Sequence, residues 1–150
     1  MNRIILIGNG FDLAHGLKTS YKDFIDWFWK KQGEDFNFNC KRDRETMPID
    51  TNPNHFRDKW NRENLFFSFE ECPKFQLRGD WYKECIKNRN IKFKNEFLEV
   101  ITKKSMQNWV DIEEEYNTQL HGIGTACGMY TDIELLNKDF LMIKEELEIY

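Results

Sequence analysis

The residue types best suited to chemistry crowd the start of the chain. Gly8-Asn-Gly10 follows the apolar run Ile4-Ile-Leu-Ile7, and Asp12, His15, Gly16, Thr19 and Ser20 stand within the next ten positions. Glycines placed directly after a strand accept positive φ and let backbone N–H groups close on an anion. A following helix dipole assists, so phosphate is the natural ligand. The same two glycines also make an ordinary turn. The GxGxxG dinucleotide fingerprint needs glycine at position 13, where Leu13 stands, and the third glycine arrives only at Gly16. The binding residues expected from this block are Gly8, Asn9, Gly10, Asp12, Gly16 and Ser20. For Asp12 several roles stay open: a ribose or metal ligand, a base, or a cap for the turn. His15 has a side chain that titrates near neutrality and suits proton transfer, but it needs a partner.

A candidate partner lies far along the chain in Asn108-Trp-Val-Asp-Ile-Glu113. Asp111 and Glu113 fall at a predicted helix start beside Trp109 and Tyr116, where carboxylates complement the helix dipole. The alternative is that one of them reaches the glycine-turn pocket and shares acid–base work with His15. Cys40, Cys72, Cys85 and Cys127 form no CxxC pair, and with His55 and His121 they show no zinc spacing, so no metal is expected. Gly122-Ile-Gly-Thr-Ala-Cys-Gly128 follows a helix and lacks a GK[ST] ending, which reads as a helix C-cap and interhelix loop.

These residues need elements to position them. Ile4 to Ile7 has the continuous apolar pattern of a strand buried on both faces in a parallel sheet. Ser20-Tyr-Lys-Asp23 has capping-box form with Asp in place of Glu, and Phe24, Trp27 and Phe28 then recur at helical spacing, so a helix should begin at about Ser20. Residues 33 to about 54 are polar and aperiodic, with asparagines and prolines throughout, and read as a long loop or insertion. Residues 55 to 91 lack clean periodicity, and Leu65 to Phe69 fits a strand or part of a helix. Helical spacing returns at about Lys94 to Lys104 through Phe97, Leu98 and Ile101, and again from Val110 to His121 through Ile112, Tyr116 and Leu120. In the last predicted helix a capping box, Thr131-Asp-Ile-Glu134, precedes Leu136, Phe140, Ile143 and Leu147. The expected fold class is α/β, a Rossmann-like strand-turn-helix at the N-terminus followed by mostly α-helical structure. A central strand needs neighbours for its backbone groups and few other strands are evident, so residues 1–150 read as a single but incomplete domain.

Composition bounds the partners. With 150 residues the chain can build one sizeable core, and its net charge of −4 gives no positive field to attract nucleic acid, despite local clusters at Lys41-Arg42 and Lys92-Phe-Lys94. No apolar run approaches the roughly 18 residues of a membrane span, and no signal-peptide pattern opens the chain, so a reduced cytoplasmic protein is expected.

Asn9-Gly-Phe-Asp-Leu-Ala-His-Gly-Leu17, Thr19-Ser-Tyr-Lys-Asp-Phe24 and Trp109-Val-Asp-Ile-Glu113 with Tyr116 resemble the AbiH family of bacterial phage abortive-infection proteins. The resemblance lies at both ends of the chain, leaving about 80 residues between the blocks uncovered. It implies an anti-phage role. Members of the family are longer, with a further segment towards the C-terminus, so it also implies a truncated N-terminal part whose site is completed by that region or by a protein partner. The layout Gly8, Gly10, Gly16 is also similar to the sirtuin-like NAD-binding turn, which implies NAD or another nucleotide as ligand and a nucleotide-consuming activity. The alternatives are a non-enzymatic interaction module, with Trp27, Phe28, Trp29 and Trp81 docking on a partner or on the rest of the protein, or an inactive fragment.

Overall fold

The computed structural model describes residues 20–46, 54–73, 76–107, 111–125 and 128–150. The expected strand at Ile4 to Ile7 and the glycine block through Gly16 lie outside them. Among the described residues six helices and one two-stranded antiparallel sheet are present. The α/β expectation is therefore met here only as a mostly helical structure with a small sheet, and the Rossmann-like turn is not among the described elements.

Helix α1, Tyr21–Thr46, starts where its cap predicts. The Ser20 hydroxyl accepts from the Asp23 backbone N–H at 3.1 Å and donates to the Asp23 carboxylate at 2.6 Å. This satisfies a backbone donor that the first turn would otherwise leave open. The expected loop from residue 33 is corrected as far as Thr46, because α1 continues through it. The buried residues there are Gln32, Gly33, Phe36 and Asp43, with Cys40 packed on the core. Their spacing is helical, but a glycine, an amide and a carboxylate do not register as an apolar stripe. Gly33, where the expected loop began, is a notch: a Cβ there would lie 2.5 Å from Trp81 Nε1. Asp43 is neutralised by Lys59 Nζ, at 2.9 and 3.1 Å from its two oxygens.

Helix α2, His55–Glu63, leads into strand β1, Phe67–Phe69. Asparagine side chains make the junction. Asn61 pairs with both backbone groups of Phe69 at 2.8 Å, and Asn64 Oδ1 accepts from the N–H groups of Phe66 and Phe67 at 2.9 Å. Helix α3, Trp81–Lys87, then turns into strand β2, Ile91–Phe93, which pairs antiparallel with β1 in the register Phe67↔Phe93, Ser68↔Lys92, Phe69↔Ile91. The core of this half is aromatic. The ring of Trp29 lies parallel to that of Tyr82 at 5.1 Å and also meets Phe67 at 5.1 Å and Trp81 at 5.6 Å. Two of the buried indole N–H groups are matched, Trp29 Nε1 donating to Thr102 Oγ1 at 3.2 Å and Trp81 Nε1 to the Trp29 carbonyl at 3.1 Å, while Trp60 Nε1 has no partner among the described residues.

Helices α4, Glu96–Met106, α5, Ile112–Gly122, and α6, Ile133–Ile149, follow the predicted periodicities closely. Asp132 caps α6, one residue later than the Thr131 box suggested, by accepting from the Glu134 N–H at 2.9 Å. Leu136 and Ile143 are buried, with Phe140 and Leu147 packed beside them. A buried carboxylate ties this half together: Asp139 Oδ2 accepts from Tyr130 Oη at 2.9 Å and from the Glu96 backbone N–H at 2.8 Å, while Asn95 Nδ2 donates to the Asp139 carbonyl at 3.0 Å. No described helix is long and apolar enough to cross a membrane.

Candidate functional site

Three helix ends meet at the start of α1. The α5 cap is Asp111, whose carboxylate accepts from the Glu114 N–H at 2.9 Å. Three consecutive glutamates, Glu113, Glu114 and Glu115, occupy the first turn, where the helix dipole favours negative charge. Glu115 is buried and ion-paired with Lys104 of α4, which leaves the exposed Glu113 as the outward carboxylate nearest the cap. Glu113 stands beside the phenol of Tyr21, the first residue of α1, close enough for its charge to act on that group. Burial first, and then the neighbouring carboxylates of Glu113 and Asp111, push the Tyr21 phenol well above its ordinary range, so it stays protonated.

The end of α6 closes the same corner. Tyr150 lies 5.8 Å from the ring of Phe24 and 5.3 Å from that of Trp27, and Lys31 of α1 bridges to Glu146 of α6 at 2.6 Å. Helix α5 is held against α6 by Tyr116, whose hydroxyl donates to Asn137 Oδ1 at 2.6 Å and whose ring lies 4.5 Å from that of Phe140. The start of α1, the start of α5 and the end of α6 thus form one end of the helical half.

Of the residues expected from sequence, the structure brings together Ser20, Asp111 and Glu113 at this end through Tyr21. Ser20 and Asp111 already serve as caps, each with one oxygen committed to its own helix. Gly8, Asn9, Gly10, Asp12, His15 and Gly16 lie outside the described residues. Ser20 is the described residue that follows their segment in the chain. Tyr21 was passed over in the sequence because it sits inside a capping box, which draws attention to Ser20 and Asp23. Its place in Thr19-Ser-Tyr-Lys-Asp-Phe24 was the available signal.

A docking role for the aromatic residues of α1 and α3 needs correction. Phe28 and Trp29 are fully buried, and Trp81 is 4% exposed, all within the protein's own core. Only Trp27 of that group is half-buried. Among the described residues no group of three or more His, Cys, Asp and Glu side chains is arranged to hold a metal ion.

The family model described as bacteriophage abortive infection AbiH matches residues 4–147. That range includes all three blocks that carry the resemblance and the stretch between them. No curated protein and no solved structure matches the chain.

Proposed function

For a chain that belongs to the AbiH family of bacteriophage abortive infection proteins, we propose a role in anti-phage defence exercised through a nucleotide site at the start of α1. In this reading the backbone of Gly8, Asn9, Gly10 and Gly16 cradles the phosphates of NAD or another nucleotide, and Asp12 binds a ribose hydroxyl. His15 and Glu113 form the acid–base pair, with Asp111 holding the start of α5 in place. The observation that supports it is that Glu113 stands beside Tyr21, the first residue of α1. Packing brings this carboxylate from more than ninety residues away along the chain to the first turn of α1, beside a neutral phenol. A carboxylate in this place can accept a hydroxyl hydrogen bond as the anion, or take up a proton and become neutral as a general base does.

The test is turnover. Purified protein and its Asp12→Ala, His15→Ala and Glu113→Gln variants are incubated with NAD and a panel of nucleoside triphosphates, and the products are followed by mass spectrometry. The site predicts turnover in the parent and a loss of about 100-fold or more in the acid–base variants. Equal background-level turnover in all four forms sinks the enzymatic reading. Melting with and without NAD, ATP or phosphate separates binding from turnover, because a ligand held only by the folded state stabilises it by RT ln(1 + [L]/Kd). A second reading, an interaction module without turnover, rests on the large exposed side chains Phe38 and Leu65, 65% and 66% accessible. Absence of any ligand shift favours that reading.

A further inference from the structure

Helix α6 carries large apolar side chains on the face that solvent reaches. Leu135, Leu141 and Ile149 are between 41% and 65% exposed, and Met142 is half-buried. Leu135, Met142 and Ile149 recur every seven residues. Seven residues fall about 20° short of two full turns, so these side chains make one nearly straight row along the helix. Lys138 and Glu145, also seven apart and both exposed, make a second row beside it, with Leu141 on the far side of that row. This face is turned away from the one through Leu136, Phe140, Ile143 and Leu147 that packs into the core. A contiguous apolar surface rimmed by charge marks an interaction site, as single exposed side chains do not.

The charges within this face decide what can cover it. Among the described residues neither Lys138 nor Glu145 takes part in an ion pair. Along the helix axis they stand about 10 Å apart, too far to pair with each other. From Leu135 to Ile149 the face runs apolar, positive, apolar, negative, apolar, with Met142 at its centre. A second α6 laid antiparallel about a two-fold axis at Met142 sets Leu135 beside Ile149 of the other copy and Lys138 beside its Glu145, each pair occurring twice. Leu141 and Met142 then meet their own counterparts across the axis. A parallel copy would set lysine on lysine and glutamate on glutamate. The pattern is therefore complementary to itself in one direction and one register. Glu134 and Glu148 fall at the outer rim, where solvent and salt screen their repulsion.

We propose that this face of α6 docks on the same face of a second copy of the chain, forming a two-fold symmetric antiparallel homodimer. The apolar side chains on either side of the seam supply the association, and the Lys138–Glu145 pairs between them select the antiparallel alignment. Helix α6 has 17 residues, a length of about 25 Å. A contact confined to one such helix is smaller than a standard interface, so the dimer is weak, with a dissociation constant on the order of 100 μM. The dimer does not depend on the nucleotide reading, since neither Lys138 nor Glu145 belongs to that site.

The experiment is sedimentation equilibrium of the full chain under reducing conditions, at about 10 μM to 1 mM so that the expected constant is bracketed. The parent is compared with Lys138→Glu, Glu145→Lys and the double exchange. The parent dimerises across this range. Either single exchange sets like charges together twice and weakens the dimer about tenfold or more. The double exchange restores both pairs with their signs reversed and returns the affinity to within about threefold of the parent. An equimolar mixture of the two single variants forms a heterodimer, because one chain then offers two acidic positions and the other two basic ones. A parent that stays monomeric at the highest concentration overturns the proposal. So does a dimer that the single exchanges leave unchanged, or one that the double exchange fails to restore. Both positions are exposed, and an unchanged melting temperature shows that each variant folds. Should a single exchange not fold, Leu141→Asn takes its place; it must weaken the dimer about tenfold, and an unchanged affinity overturns the proposal.

Discussion

Around the middle of α1 the contacts are ring upon ring, whereas between α4 and α6 the central contacts are hydrogen bonds to one buried carboxylate. Trp29, Phe67, Trp81 and Tyr82 gain from area and dispersion, which are non-directional, and each ring has several neighbours. Asp139 depends on direction. Its carboxylate and carbonyl hold Tyr130, Glu96 and Asn95, and nothing else nearby replaces those bonds. The first arrangement should fail in proportion to the volume removed, and the second according to which donor is left unpaired.

The comparison can be broken most severely at Trp29. Trp29→Ala removes the ring at the centre of the aromatic cluster, and a loss of about 3–5 kcal/mol in denaturant unfolding is expected. A loss below about 1 kcal/mol would mean that the cluster does not hold this half together. Asp139→Ala strands the Tyr130 hydroxyl and the Glu96 N–H, with an expected loss of about 2–3 kcal/mol by the same measurement. Tyr130→Phe removes only one of those donors and should cost distinctly less, which separates a hydrogen-bond hub from a mere packing position.

Gly33→Ala sharpens the aromatic side. In an open helix this substitution stabilises by roughly 0.5–1 kcal/mol. Here the new Cβ would press on Trp81 Nε1 and disturb its bond to the Trp29 carbonyl. The expected result is a net loss of about 1–2 kcal/mol, and a gain in melting temperature would show that the notch is not used.

The smallest effect belongs to Glu96. Burial first, then the charges of Asp139 and Glu99, push its carboxyl above the ordinary value, and one of its oxygens is buried without a hydrogen-bond partner among the described residues. A folded-state carboxyl raised above its unfolded value binds its proton more tightly when folded. Its contribution is therefore favourable at low pH and is lost as pH climbs from the unfolded value through the raised one. Glu96→Gln should stabilise by about 1 kcal/mol at pH 7, and the gain should vanish below about pH 4. A gain independent of pH would assign the effect to packing.

These regions differ also in how legible they were. The α4, α5 and α6 stripes through Phe97, Leu98 and Ile101, through Ile112, Tyr116 and Leu120, and through Leu136, Phe140, Ile143 and Leu147 are periodic because each helix buries one face with large apolar side chains. The second half of α1 buries Gly33, Gln32 and Asp43 instead, each matched to a partner on another element: Trp81, Asn64 and Lys59. A residue chosen for its partner leaves no periodic trace. The β1–β2 pair of three residues each was too short for alternation to register.

The candidate site divides in the same way. Sequence alone was enough to mark Ser20 as a helix start and Asp111 and Glu113 as carboxylates at another, since capping preferences are local properties. The family, too, was carried by short blocks of residues. That Glu113 stands beside the first residue of α1 was decided by tertiary packing: Tyr116 on Asn137 and Phe140, and Lys104 on Glu115, orient α5 until its first turn meets Tyr21. Contacts between residues so far apart in the chain depend on the summed burial of several helices, a quantity that no local window of sequence contains.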